Sequence, residues 1–387
     1  MPWEEKTVEQ KRTEFVAEVL AGEESKSAIC AKYGITRKTG DKWLERARNG
    51  EPMGDRERQK GVHPNKTEHA VEELILETRV CHPAWGARKL KRYLENKGYK
   101  GLPAQSTICE ILKRNGMVTP EDSEAHTPCK RFEKEHPNDM WQVDFKGDFG
   151  LLNSVRCYPL TVLDDCSRFS ICLDAKENQQ SAGVFSSFQR LFGEYGLPDS
   201  VLCDNGPPWG DNHPGSITQF DVWMMMLGIL PIHIRPKHPQ TQGKDERFHR
   251  TLKDEVLKRE LFGDIPSAQR RFDVWRHEYN HERPHGAIGF DTPSKRYRAS
   301  KRQLPPALTE PEYDAGKNLR KVNDKGYISV QSHRYFLSDS LIGKFIEVRP
   351  LPDHVVGLYY STFRVAKINL DERIFISRRI YRSGVEN

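Results

Sequence analysis

The spacing of apolar residues changes once along this chain, near Asp139, and that change limits the fold more than any composition figure does. Before it, apolar residues recur at helical intervals. After it, Trp141, Val143 and Phe145 alternate with Gln142, Asp144 and Lys146, which predicts a strand with one buried face. Val155 to Leu163 and Phe169 to Leu173 continue the pattern around an Asp164-Asp165-Cys166-Ser167 turn, so three strands should form an antiparallel meander. Gln180 to Tyr195 reads as an amphipathic helix with Val184, Phe185, Phe188 and Leu191 inward. A short buried strand (Ser200 to Cys203), a helix (Thr218 to Leu227, with Met224, Met225 and Met226 as core filling), a fifth strand (Ile229 to Ile234) and a helix from about Lys244 complete an order β-β-β-α-β-α-β-α.

Upstream, residues 8 to 20 carry an apolar stripe of Phe15, Val16, Val19 and Leu20. A short helix from Ser27 stops at Gly34, and Thr36 can cap a third helix running to about Arg48. This is the helix-turn-helix pattern, although a plain three-helix bundle with solvated basic residues fits the segment equally well. Arg37, Lys38, Lys42 and Arg46 lie on the last helix and are the expected DNA contacts, with Trp43 and Leu44 left for packing. A second unit of the same grammar spans residues 66 to 117 and ends on a capped, basic third helix from Ser106 to Gly116. Residues 50 to 65 and 118 to 138 read as linkers. Beyond Lys321, short alternating runs separated by turn residues predict a small all-β barrel or sandwich. The expected domains are 8–49, 66–117, 138–300 and 318–387.

The net charge of +6 suits a nucleic-acid partner without identifying one. Its distribution says more, because Arg235 to Lys253 holds six Lys or Arg against two acids. Eight scattered cysteines with no CxxC pair argue against structural zinc. No run approaches the ~20 apolar residues of a membrane span, and no basic-then-apolar leader opens the chain. A soluble cytoplasmic protein is expected.

Three acids stand apart. Asp144 lies in the alternating strand, Asp204 follows a buried strand just before Asn205-Gly206, and Glu246 lies early on the basic helix. Phosphodiester chemistry without a covalent intermediate is served by two hard cations, and Mg²⁺ needs few protein carboxylates because it keeps several waters. Glu246 shares a helix face with His249, Arg250 and Lys253, whereas Phe248, Leu252 and Val256 point away. Asp245 lies about 100° round the helix and fits the site less well.

These three settings, with 236–243 (Pro-Lys-His-Pro-Gln-Thr-Gln-Gly) leading into Lys244-Asp-Glu-Arg-Phe-His-Arg and with Tyr279-Asn-His-Glu-Arg-Pro-His285 downstream, resemble the integrase-type core of bacterial insertion-sequence transposases and retroviral integrases. The resemblance implies a ribonuclease-H-like α/β core with a mixed five-stranded sheet, and Asp144, Asp204 and Glu246 as a catalytic triad of the DDE type. It implies two Mg²⁺ ions, with Mn²⁺ as a possible substitute, held by those acids. The implied partners are DNA (the terminal inverted repeats of the element and a target) and further copies of the chain, as a dimer or larger synaptic assembly. A bacterial, nucleoid-associated enzyme that cleaves and joins DNA follows. Lys244, Arg247, His249, Arg250 and Lys253 are expected along the DNA. Asp204 and Glu246 are 42 positions apart, longer than in many relatives, so 207–215 reads as a loop insertion. Helix-turn-helix units stand where retroviral relatives carry a zinc-binding segment. Trp209 could stack on a base or pack on the core, and Asp164 and Asp165 read as turn residues.

Overall fold

The computed structural model of the chain describes residues 6–55, 67–118, 133–210, 215–234 and 243–383. The motif at 236–242, positions 211–214 of the insertion and the outer ends of the 66–117 and 318–387 segments lie outside the described residues. The chain divides into two compact units, Met1–Thr67 and Glu68–Asn387.

The first unit holds α1 (Val8–Ala21), α2 (Lys26–Lys32) and α3 (Arg37–Arg48). Thr7, Ser25 and Thr36 cap them by accepting backbone N–H groups, which satisfies donors that a helix start leaves orphaned. Phe15, Val16, Ile29, Cys30, Trp43 and Leu44 form the core. Gly40 lets α3 approach closely, since a Cβ there would stand 2.8 Å from the Cys30 sulfur and 3.0 Å from the Phe15 ring.

The second unit begins with α4 (His69–Cys81), α5 (Ala87–Asn96) and α6 (Gln105–Arg114), packed around Ile75, Trp85, Leu90, Leu94, Ile108, Ile111 and Leu112. The expected side-chain cap on the third helix is absent, because the cap position falls two residues before Ser106, at Ala104. Next come β1 (Trp141–Phe145), β2 (Phe149–Gly150), β3 (Arg156–Asp164), β4 (Ser170–Lys176), α7 (Ser181–Tyr195), β5 (Ser200–Cys203), α8 (Gln219–Met226), β6 (Leu230–His233), α9 (Gly243–Leu252) and α10 (Ile265–His281). The main strands lie in the order β4-β3-β1-β5-β6, antiparallel on the first side of β1 and parallel on the other. The sheet has six strands rather than five, the extra one being the two-residue β2 paired to the start of β3.

Trp141, Val143 and Phe145 face α7 and α8, with Val184, Phe188, Phe192, Phe220 and Met224 opposite them. The other layer is α9 and α10, whose Phe248, Leu252, Val256, Phe272, Trp275 and Tyr279 pack with Leu163 and Leu173 of the sheet. Gln142 is therefore buried too, and the polar positions of β1 face a helix rather than solvent. A π-helical turn, Lys253–Leu257, extends α9 and brings Glu255 inside. There its carboxylate accepts from Trp85 Nε1 (3.2 Å), Trp275 Nε1 (3.0 Å) and Arg283 Nε (3.0 Å), and so fastens the α4–α6 bundle to the core. His82–Glu278 (3.0 Å) and Lys97–Glu282 (3.1 Å) add to that seam. The 279–285 motif is largely structural: Asn280 bonds both backbone groups of Ser170, and His285 contacts the Tyr279 carbonyl.

After α11 (Pro293–Arg296) come β7 (Leu319–Lys321), β8 (Tyr327–Val330), β9 (His333–Phe336), β10 (Phe345–Leu351), β11 (Val355–Tyr360), β12 (Phe363–Asn369), β13 (Ile374–Ser377) and β14 (Tyr381–Arg382). They form an antiparallel sheet in the order β13-β12-β11-β10-β7, with β14 on β12, plus a separate β8–β9 hairpin. Among the described residues no ladder joins β7 to β13, so the sheet is open where a barrel was expected. Its apolar face packs on Ile217, Val222 and Met225 at and beside α8. Among the described residues no helix is long and apolar enough to cross a membrane.

Candidate active site

Asp144 sits on the central strand opposite Thr161 of β3, whose hydroxyl donates to the Asp144 carbonyl (3.0 Å). The carboxylate is half-buried. Burial, and then the charges of Asp204 and Glu246, push its pKa up to about 7. The other two predicted acids thus act on Asp144, with which no Lys or Arg among the described residues forms an ion pair. His249 Nδ1 is 4.0 Å away, but burial lowers this imidazole to about 3 and keeps it neutral. Its Nε2 shares a 2.8 Å hydrogen bond with Thr161. His249, expected along DNA, is instead turned inward beside Asp144.

Asp204 follows the C-terminal end of β5, one strand over from Asp144. Its Oδ1 accepts the Gly206 N–H (3.0 Å), and burial raises its pKa. The next turn closes tightly, because a Cβ on Gly210 would stand 2.2 Å from the Asn205 carbonyl oxygen. Trp209 anchors that turn in the core, with Phe145, Phe188 and Phe220 ring centres 6.0, 6.1 and 5.1 Å away, so packing and not base stacking accounts for it. The Nδ1 of His233 lies 3.0 Å from the Asp204 carbonyl and its Nε2 2.8 Å from buried Asp221. Burial works against charge on this ring, yet Cys203 and the Asp221 carboxylate more than offset it and hold the imidazole well above its usual range.

Glu246 is exposed in the first turn of α9, on the side shared with Arg250 and Lys253 and with Arg247 exposed beside it, while Phe248 and Leu252 are buried. Asp245 is fully buried, and among the described residues neither carboxylate oxygen has a hydrogen-bond partner. Burial, and then the nearby charges of Asp144 and Asp165, raise its pKa well above the usual range. Lys244, also expected on DNA, pairs at 2.5 Å with Asp165, which is buried. On α3, Arg37, Lys38 and Lys42 are exposed. Arg46 is not: it donates to the Gly54 carbonyl (3.1 Å) and lies 4.9 Å from the Trp43 ring centre, which places it inside the first unit.

The donors at Asp144, Asp204 and Glu246 are hard carboxylate oxygens, the type that Mg²⁺ or Mn²⁺ prefers, and the uncompensated negative field at Asp144 fits a divalent cation. Among the described residues no three His, Cys, Asp or Glu side chains stand close enough to hold a metal ion as they are. The site therefore has the donor chemistry without a closed cage.

"Integrase core domain" models match residues 134–239 and 227–293, which contain all three acids. Over residues 134–293 the chain is therefore similar to integrase core domains. A "Homeodomain-like domain" model matches residues 39–112. The chain is similar to proteins of bacterial insertion elements. One is an uncharacterized 39.2 kDa protein of insertion element IS476 from Xanthomonas euvesicatoria, 31% identical over 60% of this chain and 66% of that protein, just under two thirds of its length. Another is the transposase for insertion sequence element IS21 from Pseudomonas aeruginosa, 21% identical over 79% of each chain. Among solved structures, a chain of a simian T-cell lymphotropic virus intasome in complex with a phosphatase regulatory subunit covers 82% of this chain and 100% of its own, at 16% identity and a TM-score of 0.38. Local spacing did not show the pairing of His233 with Asp221, 12 positions apart, or of Lys244 with Asp165, 79 positions apart.

Proposed function

We propose that this protein is a DNA transposase of the DDE type, which binds the terminal inverted repeats of a mobile element, cleaves DNA at its ends and joins them to a target. The observation that carries the reading is Asp144, half-buried in the charge field of Asp204 and Glu246 on the central strand of an integrase core. Asp144, Asp204 and Glu246 would hold two Mg²⁺ ions, or Mn²⁺, which supply the positive charge that a phosphodiester transition state needs.

The chain's own residues provide the rest. The exposed Arg247, Arg250 and Lys253 border the acids and would track the phosphates of the reacting strand. Arg37, Lys38 and Lys42 would carry end recognition in the 8–49 segment, with the 66–117 segment as a second DNA-binding unit and 318–387 as a further DNA or protein contact. Joining two ends to one target calls for at least a dimer on DNA. Similarity to insertion-element proteins supports the reading.

The test is cleavage and strand transfer on duplexes carrying the inverted repeats that flank the gene. Asp144→Asn, Asp204→Asn and Glu246→Gln should each abolish Mg²⁺-dependent cleavage and joining while end binding persists. Cleavage by any of the three would refute the assignment. Preferential cutting of an RNA:DNA hybrid would point to a ribonuclease instead.

A further inference from the structure

We propose that Asp165 and Lys244 are positioning residues, a buried strut that sets the first turn of α9, and with it Glu246, against the strand that carries Asp144. The inference rests on the transposase reading for its purpose but not for its geometry. Asp165 lies in the turn between β3 and β4 and is fully buried. One carboxylate oxygen accepts from Gln142 Nε2 at 2.6 Å and pairs with Lys244 Nζ at 2.5 Å, and the other accepts the Lys134 N–H at 2.8 Å. Lys244 Nζ also lies 3.3 Å from the Asp165 carbonyl oxygen.

The spacing gives these contacts their meaning. Gln142 precedes Asp144 by two positions and shares its side of β1, and Lys244 precedes Glu246 by two positions on α9. One carboxylate therefore ties together the strand and the helix that bear two of the three site acids. A buried charge is tolerated only when it is paired and hydrogen-bonded, and this one is. Without the ammonium, Asp165 would be left a buried charge with no counter-charge from α9, and the local remedy is movement of the α9 start. Lys244 thus acts through Asp165 rather than through DNA.

Hydrogen–deuterium exchange of the full-length protein reads the strut directly. Lys244→Met should speed exchange of the amides at 245–250 about tenfold or more by lowering the cost of local opening, and Lys244→Arg should restore most of the protection. Mn²⁺ binding followed by electron paramagnetic resonance should weaken about 10- to 100-fold in Lys244→Met, the range usual for a support one step behind a metal ligand. Affinity for the element ends, and its salt dependence, should stay at the wild-type level. Asp165→Asn, which keeps the shape and removes the charge, provides the second variant and should speed the same amides. Unchanged exchange in both variants would overturn the proposal. So would a Lys244→Met variant whose main defect is weaker DNA binding with a salt slope smaller by about one phosphate contact. Neither outcome depends on cleavage, so failure of the transposase reading, seen as an active Asp144→Asn, is separately recognisable.

Discussion

Glu255 should be among the most costly single positions to alter in the second unit. Its two carboxylate oxygens receive Trp85, Trp275 and Arg283, and both Glu255 and Arg283 have less than a tenth of their side chains exposed, at 9% and 7%. Glu255→Gln keeps the volume but removes the charge, and turns an NH₂ group toward donors that have nothing to give it. Breaking a buried pair from one side costs about 3–5 kcal/mol, because the guanidinium stays behind without its counter-charge. Trp85→Phe, which deletes one donor to an ionised acceptor, should cost roughly 1.5–3 kcal/mol. Urea unfolding followed by tryptophan fluorescence would read both as midpoint shifts, about 1 M for a 3 kcal/mol loss at a slope on the order of 3 kcal/mol/M. A double-mutant cycle should return a coupling of about 1 kcal/mol or more between positions 85 and 255. A Glu255→Gln loss below about 1 kcal/mol, or additive single changes, would refute the claim that this carboxylate fastens the α4–α6 bundle to the core.

Three further outcomes are expected. Asp144 titrates at about 7 in the fold against about 4 unfolded, so its contribution to stability is full below pH 4, declines as pH rises to 7 and is flat above that. Below pH 7 a divalent cation must displace that proton, so Mn²⁺ affinity measured by titration should climb with pH, about tenfold per unit at most, and level off above 7; a profile flat from pH 5 to 8 would contradict this. Gly210→Ala forces a Cβ into the space of the Asn205 carbonyl, 2.2 Å away, and should displace Asp204, with metal affinity falling on the order of tenfold while end binding persists. Arg46→Ala should lower the melting temperature of the first unit with little change in the salt slope of DNA binding, whereas Lys38→Ala should do the reverse, as gel-shift titrations at several salt concentrations would reveal.

Elements with a local signature were legible in the sequence. Thr36 and Thr218 start helices where their side chains accept a nearby backbone N–H, and Trp141, Val143 and Phe145 announce a strand by alternation alone. Glu246 was separable from Asp245 by helical geometry, though the reason Asp245 differs, complete burial, was not. What escaped depended on partners distant in the chain. Asp165 looks like a turn residue until Gln142 and Lys244, 23 and 79 positions away, are brought to it. Arg46 looks like a surface cation because nothing nearby in sequence shows that Trp43 and the Gly54 carbonyl will enclose it. The shortest strands, β2 and β14, have two residues each and no periodicity to read.

Helix α8 has apolar side chains on two sides. Phe220 and Met224 complete the layer beneath the central sheet, and Val222 and Met225 complete the layer beneath the C-terminal one. It is a wall common to two rooms, and neither room can be removed without opening the other. Cutting the chain in the Pro-rich stretch near 305, the place its composition most invites, would strip the cover from one side of a helix that leads out of the Asp204 turn. The segment that follows 318 is thus built onto the central sheet through α8, and any exchange of it would have to carry α8 along.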